Sequence, residues 1–149
     1  MSKAVDLRTS LSALIESTLP GYVKLPDSLD STDNPYIHLE KGYSIGYSGA
    51  SNASDNFCKG DVRIKRNYQV VLTNVYVANL DADYRESLEN QLINDHFSLV
   101  AAIECEPTLN GDCISAQFEN DNGIEYLIGD EKQFIIIVSN ILIDYIERV

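Results

Sequence analysis

The chain has 149 residues, 44% of them hydrophobic, and a formal net charge of -12. That length suits one domain, 1–149, with a single core that needs no disulfide or metal staple. The acidic balance argues against a surface built to grip nucleic acid, since neutralising phosphates takes Lys and Arg, yet it suits a wall past which DNA slides without binding. Nine tyrosines and no tryptophan favour sheets and interfaces, because tyrosine joins an apolar ring to a polar tip. The odd cysteine set, Cys58, Cys105 and Cys113, with no continuous apolar leader over residues 1–14, points to a reducing compartment and mostly buried free thiols. The longest apolar run, 134–138, has five residues, against the ~20 needed to span a membrane.

In chain order, Leu7, Leu11, Leu14 and Ile15 recur at the spacing of one helical face. Ser2 or Asp6 is placed to cap that helix, and Pro20 and Gly21 to stop it. Residues 26–35, rich in Asp, Ser and Pro, read as a loop. Residues 36–47 read as a strand, with Gly42 and Gly46 marking a bulge or bend. Residues 48–56 are small and polar and read as a mobile loop tip. Over 62–77, apolar Val62, Ile64, Tyr68, Val70 and Leu72 alternate with polar Arg63, Lys65, Asn67, Gln69 and Thr73. This is a strand with one wet face. At about 3.3 Å per residue it spans roughly 50 Å, more than the body of a domain this size, so the hairpin it belongs to is expected to project.

A second helix is expected over 80–103, with Asp83 and Glu86 in a capping-box arrangement and Tyr84, Leu88, Leu92, Leu99, Val100 and Ile103 near one face. Asn94 and Asp95 weaken its middle. Residues 113–118 alternate weakly. Asn120-Asp121-Asn122-Gly123 is a strong turn signal, with a returning strand over 124–128 and another turn at 129–131. The last strand, 133–145, has Ile135, Ile137, Ile141, Ile143 and Tyr145 on one face and Phe134, Ile136 and Val138 on the other. A strand apolar on both faces is buried on both faces: one should meet the helices, the other a second subunit. The expected fold is therefore α+β, a sheet with two helices packed on it in the order α-β-β-α-β-β-β, with a projecting long hairpin.

No nucleophile elbow, P-loop, dinucleotide fingerprint or His-Glu-x-x-His occurs. The cysteines lack the close pairing of zinc sites. His38 and His96 have no triad partners in view. Aligning Gly123 with the glycine of a calcium loop puts Phe118 and Gly129 where ligands are required. The acidic clusters fall at loops and helix starts, the ordinary places for caps. The chain therefore reads as having no catalytic residue, cofactor or metal. Lys59, Arg63, Lys65 and Arg66 are four of eleven basic residues. They read either as a charged, protected edge strand or as a basic stripe that meets an acidic neighbour in head-to-tail self-association.

The whole chain resembles the tail terminator (tail completion) proteins of long-tailed bacteriophages. The resemblance rests on the opening helix ending at Leu19-Pro20-Gly21, Asn34-Pro35-Tyr36-Ile37 leading the first strand, and the polar loop before Phe57. It continues through the long strand over 62–72, the Asp83-Tyr84-Arg85 helix and the closing strand over 134–145. It implies a non-enzymatic virion protein, assembled in the host cytoplasm, forming a homohexameric ring on the head-proximal end of the tail tube. Such a ring stops polymerisation of the tube protein, presents a surface to head–tail connector or neck proteins, and passes DNA through its lumen. The family carries no motif residues across. The residues themselves nominate Arg63, Lys65 and Lys59 for subunit contact, and Asn52, Asp55 and Phe57 for contact with the tube or a neighbour. Phe134 and Ile136 are nominated for the second apolar face. The competing readings are a head-side neck completion protein and a small ligand-binding α+β domain.

Overall fold

Ser2 caps the first helix, α1 (Lys3–Thr18), its side chain accepting from the Ala4 N–H, which satisfies one of the orphan donors of a helix start. Leu7, Leu11 and Ile15 are fully buried, and Leu14 packs against the same cluster. The computed structural model describes residues 2–24, 41–52, 61–76, 82–128 and 133–148. After α1 come a two-residue strand β1 (Val23–Lys24), β2 (Lys41–Asn52), β3 (Asp61–Tyr76), helix α2 (Ala82–Cys105), β4 (Ser115–Ile128) and β5 (Gln133–Arg148). The strands form one sheet in the order β1-β2-β3-β5-β4. All pairs are antiparallel except β1 with β2.

The class is α+β with two helices, as the patterning implies, but the order differs: α-β-β-β-α-β-β. Two expected strands and the turn between them are one strand, β4. Its Asn120-Asp121-Asn122-Gly123 stretch is not a hairpin turn but an irregularity between Asp121/Ser139 and Ile124/Ile137. Asp121 Oδ1 accepts from Gly123 N at 2.8 Å, and Gly123 takes φ +76, open to glycine at no steric cost. Unbroken β5 offers ladder partners on both sides, so turn chemistry is spent on a bulge. Ser48 to Asn52, expected in a loop, continue β2 and pair with β3 as far as Asn52↔Ile64. The bulge falls between Tyr47 and Gly49, not at Gly42 or Gly46. Residues 26–40, including His38, and 53–60 lie outside the described residues, as does the 129–131 turn.

The two sixteen-residue strands, β3 and β5, pair along their whole length, from Asp61↔Arg148 to Tyr76↔Gln133. β2 and β3 do make a long antiparallel pair, but β5 backs β3 from end to end, so β3 is not the outer arm of a free projection. Its central place also overturns the edge-strand reading of its charges.

The period of two sorts the side chains. On one face Tyr68, Val70 and Leu72 of β3 lie opposite Ile141, Ser139 and Ile137 of β5. These join Tyr43, Ile45, Leu92, Leu99 and Ile103 and the α1 residues in one core. Both helices lie on this face: α1 through the Tyr68 hydroxyl, which donates to Ala4 O at 2.8 Å, and α2 through His96, which meets Ser139. α2 runs unbroken through Asn94 and Asp95. Asp95 accepts from the Tyr22 hydroxyl at 2.7 Å and lies 3.8 Å from Lys41 Nζ, so its cost to the helix is recovered as a tie to the neighbouring elements.

Candidate functional site

The opposite face of the sheet is covered by neither helix. It falls into two ends. Arg63 and Lys65 sit at one, opposite Ile146 and Asp144; Ile136 and Phe134 sit at the other, opposite Thr73 and Val75. The ten-residue step from Arg63 to Thr73 is about 33 Å of strand, so the nominated residues share a face but not a site. Asn52 closes β2 opposite Ile64. Asp55, Phe57 and Lys59 lie outside the described residues.

At the polar end one ion pair closes within the chain, while Asn67 Oδ1 is buried with no hydrogen-bond partner among the described residues. Arg63 makes a bidentate pair with Asp144, Nε to Oδ1 at 3.0 Å and Nη2 to Oδ2 at 2.7 Å. The Asp144 side chain is 8% exposed while that of Arg63 is 39% exposed. The hydrogen bonds from Arg63 hold the carboxyl below its ordinary range, with its burial opposing and the charges of Arg63 and Lys65 assisting. The guanidinium is held protonated in return. Arg63 is thus committed to its own chain, and the cationic stripe reduces on this face to exposed Lys65. Sequence reasoning missed Asp144. Its parity with Phe134 and Ile136 placed it on this face; what was missing was the register that sets it between Arg63 and Lys65.

The apolar end is made by Val71, Val75, Phe134 and Val138, all half-buried, with Leu127 36% exposed beside Phe134. Ile136 and Thr73 are buried by their neighbours, and Thr73 Oγ1 donates to Gly42 O at 3.2 Å. Leu142 and exposed Ile146 extend apolar surface into the polar end. Together these side chains form an apolar strip that the described residues leave partly in solvent.

Arg66 lies on the covered face. Its Nε donates to the Tyr145 hydroxyl at 3.1 Å, and its guanidinium carbon lies 5.8 Å from the Tyr47 ring centre, with that of Arg8 at 5.3 Å. Two cations therefore converge on one aromatic ring, 41% exposed, on β2.

His96 and Ser139 are the other polar pair the sequence did not bring together. Nε2 and Oγ are 2.5 Å apart, and Phe118 meets the imidazole edge-on at 5.4 Å. Desolvation lowers the imidazole pKa, with Asp121 opposing. With Ser139 only 1% exposed and His96 7%, the pair is a hydrogen bond closed inside the core, not a nucleophile within reach of substrate. The thiols divide: Cys105 is exposed on the last turn of α2, contrary to expectation, and Cys113 is half-buried. Burial pushes the Cys113 thiol up to about 11, which keeps it unreactive.

An open depression runs along α2, lined by acids and amides including Asp83, Glu86, Asn90, Gln91 and Asp95. It lacks the apolar walls of a small-molecule site. No helix among the described residues is long and apolar enough to cross a membrane. The chain matches no protein-family model and no curated protein.

Proposed function

We propose that this chain is a structural virion protein that assembles into a ring, hexameric by its resemblance to tail terminators, on the head-proximal end of a phage tail tube. There it stops polymerisation of the tube protein and offers the joining surface for the head-side connector. The observation that carries the reading is the sheet's division of labour. Two fully paired sixteen-residue strands have helices on one face only. The other face keeps Val71, Phe134, Val138 and Leu142 partly in solvent. A sheet apolar on both faces completes its burial by association. The net charge of -12 suits a lumen through which DNA passes without being held. Light scattering and negative-stain imaging, alone and with tube protein, test the reading. Rings that cap tubes are expected; a chain that stays monomeric and leaves tube length unchanged would falsify it.

A further inference from the structure

The two edges of the sheet are unlike. At one edge β1 covers only Gly42 and Tyr43 of β2. From Ile45 to Asn52 no described strand pairs with the outer side of β2, and this stretch holds no charged residue. Open edges are ordinarily guarded by charge or Pro, because their free N–H and C=O groups template another strand. The cations lie just behind: Arg8 and Arg66 at the Tyr47 ring, and Lys65 opposite Ser51. At the other edge, no described strand pairs with the outer side of β4, which carries Glu119, Asp121 and Glu125 and no Lys or Arg.

Direction and level agree with joining the two. β2, β3, β5 and β4 alternate in direction, so β2 and β4 are antiparallel. Two copies set side by side, helices on the same side, bring β4 of one antiparallel to β2 of the next. The register Tyr47–Tyr68–Ile141–Phe118 sets Glu119, one residue on, beside the Tyr47 level. The register Gly42–Thr73–Ile136–Glu125 sets the far half of β4 level with β1, where the edge is taken. The irregularity between Asp121 and Ile124 comes between these two halves, where a bulge turns a strand away. A β2-to-β2 contact would oppose cations to cations, and β4-to-β4 carboxylates to carboxylates; only the mixed contact opposes unlike charge.

We infer that the occupant of the β2 edge is β4 of a second copy, entering over residues 117–121, past Ala116, whose N–H is taken by Pro107 O of its own chain, so that successive copies share one continuous sheet head-to-tail. This rests on the ring reading and names its subunit contact. The test uses two charge-changed chains. Gly49→Glu with Ser51→Glu makes the β2 edge acidic; a Cβ at Gly49 meets nothing within 4 Å. Gln117→Lys with Glu119→Lys makes the β4 edge basic. By sedimentation, each alone should self-associate roughly tenfold or more weakly than the unchanged chain. Mixing the two, or placing all four changes in one chain, should restore assembly. Circular dichroism checks folding, and Ser51→Glu or Glu119→Lys alone serves if a double variant unfolds. Rings that survive both changes overturn the edge contact and leave the ring reading standing. An unchanged chain monomeric at every concentration, even with tube protein, overturns both.

Discussion

The two faces of the sheet are built from the same strands and differ in what covers them: both helices pack on one and neither on the other. On the helix side the hydroxyls of Tyr43, Tyr68 and Tyr145 find partners in their own chain. The Tyr43 hydroxyl donates to Glu16 at 2.7 Å, so Ser12, 2.6 Å away, must donate to it. The Tyr68 hydroxyl reaches Ala4 O, and that of Tyr145 accepts from Arg66. On the open side Arg63 and Asp144 close on each other, while Val71, Val138 and Leu142 retain solvent contact. Alternation along β5 therefore separates two environments residue by residue. Odd apolar positions pack under the helices, while of the even apolar positions Ile136 is buried and Phe134, Val138 and Leu142 keep solvent contact.

The sharpest way to break that contrast is to truncate adjacent residues of β5. Ile137 is fully buried under the helices and Val138, next to it, is half-buried on the open face. Ile137→Ala should cost about 2–5 kcal/mol, and Val138→Ala less than about 1 kcal/mol in the monomer. Urea unfolding of both variants measures this. Equal losses would mean the second face is as enclosed as the first.

The next effect belongs to the His96–Ser139 pair. Ser139→Ala leaves the imidazole nitrogen unpaired in the core, at a cost of about 1–3 kcal/mol. The pair also links stability to pH. Burial depresses the folded imidazole pKa, so the unfolded chain binds the proton first. The stability it contributes is complete above the unfolded value of about 6.5 and declines as pH falls from there through the folded value. His96→Phe should flatten unfolding midpoints between pH 8 and 5; an unchanged slope would exclude the imidazole as its source. A smaller effect is expected at Tyr68→Phe, which removes the hydroxyl tie to Ala4 and should cost about 1 kcal/mol in the same urea assay.

These contrasts show which parts of the molecule were legible in the sequence. Periodicity placed both helices and sorted β3 and β5, because burial of one face imposes a period that a reader can count. It put Phe134 and Ile136 on the face away from Ile135 and Ile137, where they are. Pairing was not legible. Asn120-Asp121-Asn122-Gly123 makes turns in isolation but bends within a strand when a continuous neighbour holds both sides. For the same reason Ser48 to Asn52, weak strand formers, extend β2. The partner of Arg63 depended on register across two strands 81 positions apart in sequence, and local patterning carries no such information.

That partnership supplies the finest test of the open face, because it separates two cations that the sequence treats alike. Lys65 is exposed and stands opposite Asp144, while Arg63 grips the carboxylate with two hydrogen bonds. Lys65→Gln should change neutral-pH stability by no more than about 0.5 kcal/mol. Arg63→Gln should cost more, since it leaves a buried carboxylate without its principal donor. The pH signature distinguishes the roles. The Asp144 pKa is lowered in the fold, so its contribution is complete above the unfolded value of about 3.9 and lost as pH falls through the lower folded value. Without Arg63 the folded carboxyl rises toward or past the unfolded value, and acid unfolding should begin at higher pH. Lys65→Gln should move that midpoint far less. If both substitutions shift it equally, the guanidinium is not the principal donor, and Arg63 returns to the residues a neighbouring copy could engage.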